Sequence, residues 1–183
     1  KTKRCDDRIV SISQPHVRPI VRGKRSAPVK FGAKISVSLV DGYAFVDRMS
    51  WDAYNESEDI TGQVKQYRRR FGCYSQSVDV DKIYRTRQNL RFCNEHGIRV
   101  SGPRLGRPPK VIDRKQLEQR KADEIVRIEI EGKLGEGKRR YSLGRIMAKL
   151  PETSGSVIGI VFLVMNMEKL LRGALLRLFD WLI

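Results

Sequence analysis

The stretch Ser77-Val78-Asp79-Val80-Asp81-Lys82-Ile83-Tyr84 decides how this chain is read. Val78 and Val80 alternate with Asp79 and Asp81, the period of two that a short strand produces, so both carboxylates leave one face near its end. From about Thr86 to His96 the pattern turns helical, and Gly97 is a natural stop. Ile98–Ser101 then reads as a second short strand. Strand, helix and strand in that order predict a βαβ unit and hence an α/β fold. Carboxylates at the carboxyl end of such a strand stand where α/β folds place ligands. The same alternation also describes a strand whose outer face is simply wet.

Upstream, Ile35, Val37 and Leu39 alternate with Ser36 and Ser38, Asp41-Gly42 turns the chain, and Tyr43–Asp47 returns as a hairpin. Asn55 with Glu58 resembles a capping box. The helix that follows carries Ile60, Val64, Tyr67 and Phe71 on one stripe and closes at Gly72, with Arg68, Arg69 and Arg70 complementing the dipole in its last turn. Residues 1–30 read as a basic extended arm, broken by Pro15, Pro19, Gly23 and Pro28, with at most one short strand at Ile9–Ser13.

Downstream, Gly102–Lys110 is a rigid basic loop. Its Gly106-Arg107-Pro108 core suits either a connector across the functional face or a hook for a narrow minor groove. A long charged helix is expected over Asp113–Leu134, capped by Asp113 and anchored by Ile125 and Ile128. In it Arg127, Glu131 and Lys138 stand at i, i+4 and i+11, within about 40° of one another on one face. One carboxylate flanked by two cations suits a group that must meet both a metal ion and a phosphate. It equally describes a solvated face with an i,i+4 ion pair, and the glycines at 132, 135 and 137 weaken the helix beyond Glu131. Lys138, Arg139, Arg140 and Arg145 form a second basic cluster.

Ser142–Leu150 is expected to start a short helix cut by Pro151. The apolar run Val157–Met165 is too short to span a bilayer before charges intervene. An amphipathic helix then follows over Met167–Ile183, which packs on the sheet or lies on a membrane.

The 183 residues suffice for one full core. Lysine and arginine number 37 against 21 acidic residues, and the net charge of +16 calls for a polyanionic partner, nucleic acid before an anionic membrane. Cys5, Cys73 and Cys93 have no CxxC spacing and read as reduced thiols of an intracellular protein, with Cys93 buried. His16 and His96 have no second ligand at metal spacing, which argues against a zinc site.

Two of these stretches resemble the DDE transposases of bacterial insertion sequences. Asp81-Lys-Ile-Tyr84-Arg-Thr-Arg-Gln-Asn89 is similar to the segment bearing the family's second catalytic aspartate. Arg127-x3-Glu131-x6-Lys138 is similar to its carboxyl signature, with Glu124 where a tyrosine usually stands. Further similarity runs through Arg18–Lys24, Phe31–Lys34, Trp51–Asn55, Gly102–Lys110 and Lys138–Gly144.

The resemblance implies an RNase H-like mixed sheet flanked by helices over residues 31–183, lacking its first strand, between the basic arm and the amphipathic carboxyl-terminal helix. It implies Mg²⁺ or Mn²⁺ held by Asp81 and Glu131 as catalytic residues, and DNA phosphates held by Arg127 and Lys138, with Arg139 and Arg140 beside them. It also implies metal-dependent cleavage and transfer of double-stranded DNA at transposon ends and target, in the cytoplasm at the nucleoid, without a membrane partner. Members of the family act as dimers, though no residue here marks an interface. Asp6, Asp7, Asp41 and Asp47 do not suit the family's bridging first aspartate. That residue is therefore expected upstream, and this chain is expected to be a carboxyl-terminal part that binds DNA without transposing it. The alternative is a basic nucleic-acid-binding protein with no catalysis.

Overall fold

The computed structural model describes residues 8–21, 29–102 and 114–182, with side chains as far as Leu178. In chain order its elements are β1 (Pro19–Val21), β2 (Val29–Phe31), β3 (Lys34–Val40), β4 (Tyr43–Ser50), α1 (Asp59–Phe71), β5 (Ser77–Val78), α2 (Arg87–Glu95), β6 (Arg99–Val100), α3 (Arg114–Arg140) and α4 (Pro151–Leu182). This is a mixed α/β chain. It divides into two compact units, one of Lys1–Tyr54 with Glu136–Ile183 and one of Asn55–Gly135. The strands form three two-stranded ladders, β1–β2, β3–β4 and β5–β6. One mixed sheet was expected. Strands of two or three residues, as in β1, β2, β5 and β6, offer too few ladder bonds to recruit further neighbours.

In the first unit, the expected strand at Ile9–Ser13 does not form. Ser11 Oγ instead accepts the Gln14 amide at 3.2 Å, a local bond that competes with extended pairing. Pairing begins at Pro19, a strand's first residue, where a missing N–H is tolerated. The β3–β4 hairpin turns on Asp41 (φ 49°) and Gly42 (φ 73°), the left-handed pair that a two-residue turn requires. Ser36 faces Arg48 and Val37 faces Val46, so Asp47 is the extra residue of a bulge, and β4 runs on to Ser50.

Against this hairpin lies the inner face of α4, where Ser154, Ile158, Val161, Phe162 and Met165 are buried. Asn166 makes two bonds to one residue of β4: its Nδ2 donates to the Ala44 carbonyl at 2.8 Å, and its Oδ1 accepts the Ala44 amide at 2.9 Å.

The helical expectations here need three corrections. Ser142–Leu150 forms no α-helix: Ser142 turns left-handed (φ 56°) and the Leu143 amide donates back to the Gly137 carbonyl at 3.0 Å, closing α3. Pro151 starts α4 instead of cutting a helix, because the first helical position needs no N–H. The two expected elements Val157–Met165 and Met167–Ile183 are one continuous helix. Pro151–Leu178 is therefore long and apolar enough, by length and composition, to cross a membrane, whereas the run had been expected to fall short.

In the second unit, Asn55 caps a 3₁₀ turn at Glu56–Glu58, accepting the Ser57 amide at 3.2 Å, and α1 begins one residue later. Ile60 and Val64 of α1, Cys93 of α2 and Ile98 form the buried core, with Tyr74, Val78, Val80, Tyr84, Phe92 and Val100 around it. Phe71, the last member of the expected stripe, is half exposed. Gly72 (φ 79°) closes α1, and Thr86 caps α2 by accepting the Asn89 amide at 3.2 Å. Strand β5 pairs parallel with β6, Ser77 opposite Arg99 and Val78 opposite Val100, so the βαβ unit forms as the sequence predicts.

Helix α3 runs unbroken through its glycines to Arg140. Gly137 is buried, and a Cβ there would stand 3.1 Å from Leu143 Cδ2 and 3.2 Å from Met165 Sδ, so packing explains the residue better than flexibility does. Ile125 and Ile128 are not anchors, being 63% and 54% exposed. The loop over 103–110, the cap at Asp113, Cys5, Asp6 and Asp7 lie outside the described residues.

Candidate active site

Asp81 is placed by its own turn. Beyond β5, the Val80 amide donates to Ser101 Oγ at 3.1 Å, which extends the parallel ladder by one side-chain rung. Asp81 then opens the 3₁₀ turn Lys82–Tyr84, its Oδ1 accepting the Lys82 amide at 2.7 Å. Behind the turn, Asn89 Nδ2 donates to the carbonyls of Ser57 and Tyr84 at 2.6 and 2.8 Å. Burial first, and then the carboxylates of Glu56, Asp59 and Asp81, push the Tyr84 phenol up to about 12. Arg85 is buried, and among the described residues it has no carboxylate hydrogen-bond partner. Its Nη1 donates to the carbonyls of Val100, at 3.1 Å, and Ser101, and burial lowers its pKa. The carboxyl end of β6 is thereby stapled to the turn that carries Asp81.

Arg127 of α3 faces this turn. Its Nη1 stands 3.7 Å from Asp81 Oδ1 and 3.8 Å from Glu131 Oε1. The two carboxylates, fifty positions apart in sequence, thus lie within reach of one atom. The same guanidinium is forked onto Glu124, with Nη2 at 2.5 Å and Nε at 3.3 Å. The hydrogen bond to Glu124 is the largest cause of Arg127's raised pKa, and it lowers that of Glu124. All three carboxylates are more than half exposed, so these ion pairs add little stability. Their interest lies in convergence.

A second ionic group lies deeper. Arg99 of β6 donates from Nη1 and Nη2 to the two oxygens of Asp123 at 2.8 and 2.9 Å. Gln119 Nε2 adds a third bond to Asp123 at 2.9 Å, and Asp79 Oδ1 stands 3.9 Å from Arg99. Side-chain exposure is 10% for Asp123 and 17% for Asp79. The Arg99 hydrogen bond holds Asp123 below the usual carboxylate range. Asp79 is pushed above it by burial and then by the charge of Asp123. Between the two groups opens a groove of about 320 Å³ lined by Asp81, Lys82, Ser101, Arg120, Asp123 and Arg127, among others.

Those opposite shifts give opposite pH signatures. A carboxyl whose pKa rises on folding binds its proton more tightly in the folded state, so its contribution falls as pH climbs from the ordinary aspartate value through the raised one. Asp123 works the other way: its contribution is present above the ordinary range and is lost as pH falls through the lowered value. Asp79→Asn is therefore expected to raise stability at pH 7 and to leave it unchanged at pH 3. Urea midpoints at the two pH values check this, and a lower midpoint at pH 7 contradicts it.

Of the residues singled out from sequence, the structure brings Asp81, Arg127 and Glu131 together. Lys138, Arg139 and Arg140 end the same helix but belong to the other unit, where Arg140 pairs with Glu136 at 2.9 Å and Glu168 at 3.0 Å. Arg99 and Asp123 were missed. The spacing Gln119, Asp123, Arg127, Glu131 at successive i+4 steps was the available signal, obscured by the high charge of the whole helix. Among the described residues no group of three or more His, Cys, Asp or Glu side chains is arranged to hold a metal ion.

The family model described as a transposase DDE domain matches residues 78–168, from β5 into α4. No curated protein and no solved structure matches the chain. Over residues 78–168, which contain Asp81, Arg127 and Glu131, the chain is similar to the transposase DDE domain family.

Proposed function

We propose that the chain carries part of an RNase H-like catalytic domain of an insertion-sequence transposase, which cleaves and joins double-stranded DNA with the help of Mg²⁺ or Mn²⁺. The observation that carries this reading is the approach of Asp81 and Glu131 to the same nitrogen of Arg127. The donor set suits such an ion: exposed carboxylate oxygens are the hard ligands that Mg²⁺ takes together with water and phosphate. Asp81 and Glu131 would hold it. When bound, divalent ions activate the attacking oxygen and stabilise the leaving one in displacement at phosphorus.

The remaining work falls to cationic side chains. Arg127 keeps two carboxylates from repelling each other, and its fork of donors matches a phosphate. Lys138, Arg139 and Arg140 would bind the DNA backbone without reading its sequence. Bridging by a third carboxylate would come from a residue outside this group.

The experiment that tests the reading is DNA binding with and without Mg²⁺ at constant ionic strength. Binding should tighten about tenfold with Mg²⁺, and Asp81→Asn or Glu131→Gln should each remove that gain. If Mg²⁺ has no effect and either substitution simply tightens binding, the chain binds DNA through its net charge of +16 alone.

A further inference from the structure

Among the described residues, the buried apolar core of the βαβ unit does not extend to α3. Leu117, Ile125, Val126 and Ile128 of this helix are 46–63% exposed, and the buried core of the unit contains no residue of α3. Yet α3 delivers Glu131, and the ladder delivers Asp81. What joins them with full hydrogen-bond geometry is the Arg99–Asp123 fork, two parallel bonds at 2.8 and 2.9 Å with Gln119 completing the acceptor. Asp123 lies one turn before Arg127 and two before Glu131 on the same side of α3. Arg99 lies on β6, which the Val80–Ser101 bond ties to the residue just before Asp81.

We propose that Arg99 and Asp123 are positioning residues of the candidate site: their fork sets the distance between Asp81 and Glu131. Asp79, 3.9 Å from Arg99, is the third member of the clamp. The metal ligands rest on the reading proposed above; the clamp itself is a claim about geometry and can be tested without metal.

A planar fork fixes both distance and angle, whereas a lysine at 99 would supply one rotatable charge. A half-buried pair also outlasts salt better than the exposed Arg127 contacts do. The clamp therefore persists where the Asp81–Arg127 and Glu131–Arg127 contacts are screened.

The test uses nitroxide labels at Lys82→Cys and Gly132→Cys, neighbours of the two carboxylates, in a Cys5→Ser, Cys73→Ser background. Both sites are exposed, and a Cβ at 132 meets nothing within 4 Å among the described residues. Cys93 is buried and is left in place. With the clamp intact the labels should show one narrow distance distribution. Arg99→Met and Asp123→Asn should each broaden it, and Arg99→Lys should fall between, while the circular dichroism helix signal stays unchanged. A distribution unchanged in Arg99→Met and Asp123→Asn overturns the clamp.

In parallel, Mn²⁺ affinity read by electron paramagnetic resonance should fall about 10- to 100-fold in the same two variants. Wild-type protein that binds no Mn²⁺ would sink the metal reading and leave the label result to decide the clamp. Weak Mn²⁺ binding with unbroadened labels would assign Arg99 and Asp123 to local electrostatics and reject positioning.

Discussion

Asp81→Ala and Glu131→Ala are each expected to lower Mg²⁺- or Mn²⁺-dependent nicking of supercoiled DNA by about 10³-fold or more, some 4 kcal/mol of transition-state stabilisation. The expectation rests on the shared neighbour of the two acids: Arg127 lies within 4 Å of both, so each loss removes one side of a two-sided site. Because such residues act as a unit, the double variant should be hardly worse than either single one. Arg127→Ala should cost less, about 10- to 100-fold, since a phosphate-holding cation orients without bearing the reaction's charge by itself. Full nicking by Asp81→Ala or Glu131→Ala removes the case for this site.

The second large effect concerns stability. Ile60→Ala should destabilise the Asn55–Gly135 unit by about 2–5 kcal/mol, the usual range for truncating a fully buried isoleucine. Ile60 is 1% exposed and meets Val64, Cys93 and Ile98 in a core of four buried side chains, so little surrounding mass can relax into the void. A unit of this size has few kilocalories to lose. Ile128→Ala is the control: with that side chain 54% exposed, its effect should stay within about 0.5 kcal/mol. Urea unfolding followed by circular dichroism compares the two, and equal midpoints would mean that the core is drawn in the wrong place.

The parts of the fold that were legible in the sequence are those punctuated by local chemistry. The two-residue turn at Asp41-Gly42 and the stops at Gly72 and Gly97 each act within a few residues, and the hairpin and βαβ unit fall where they point. Alternation also put Asp79 and Asp81 at the end of a strand. The clamp was not legible. Arg99 sits in a two-residue strand and Asp123 in a helix charged on every side, and neither pattern differs from a solvated surface. The same blur made Ile125 and Ile128 pass for anchors. Helix α4 was cut in two because Asn166 stands between apolar runs, and Pro151 looks like a breaker that ends a helix before it. In place, the proline begins the helix and the asparagine faces a strand.

That asparagine also limits the hairpin. At Ala44 the outward-facing amide and carbonyl of β4 are both taken by one side chain, which does there what a single residue of a neighbouring strand would do. Another polypeptide approaching β4 from that flank finds the rung closed, and cross-chain zippering cannot propagate through it. Without the amide that rung of β4 would stand open, so Asn166 closes a strand edge as well as tying α4 to it.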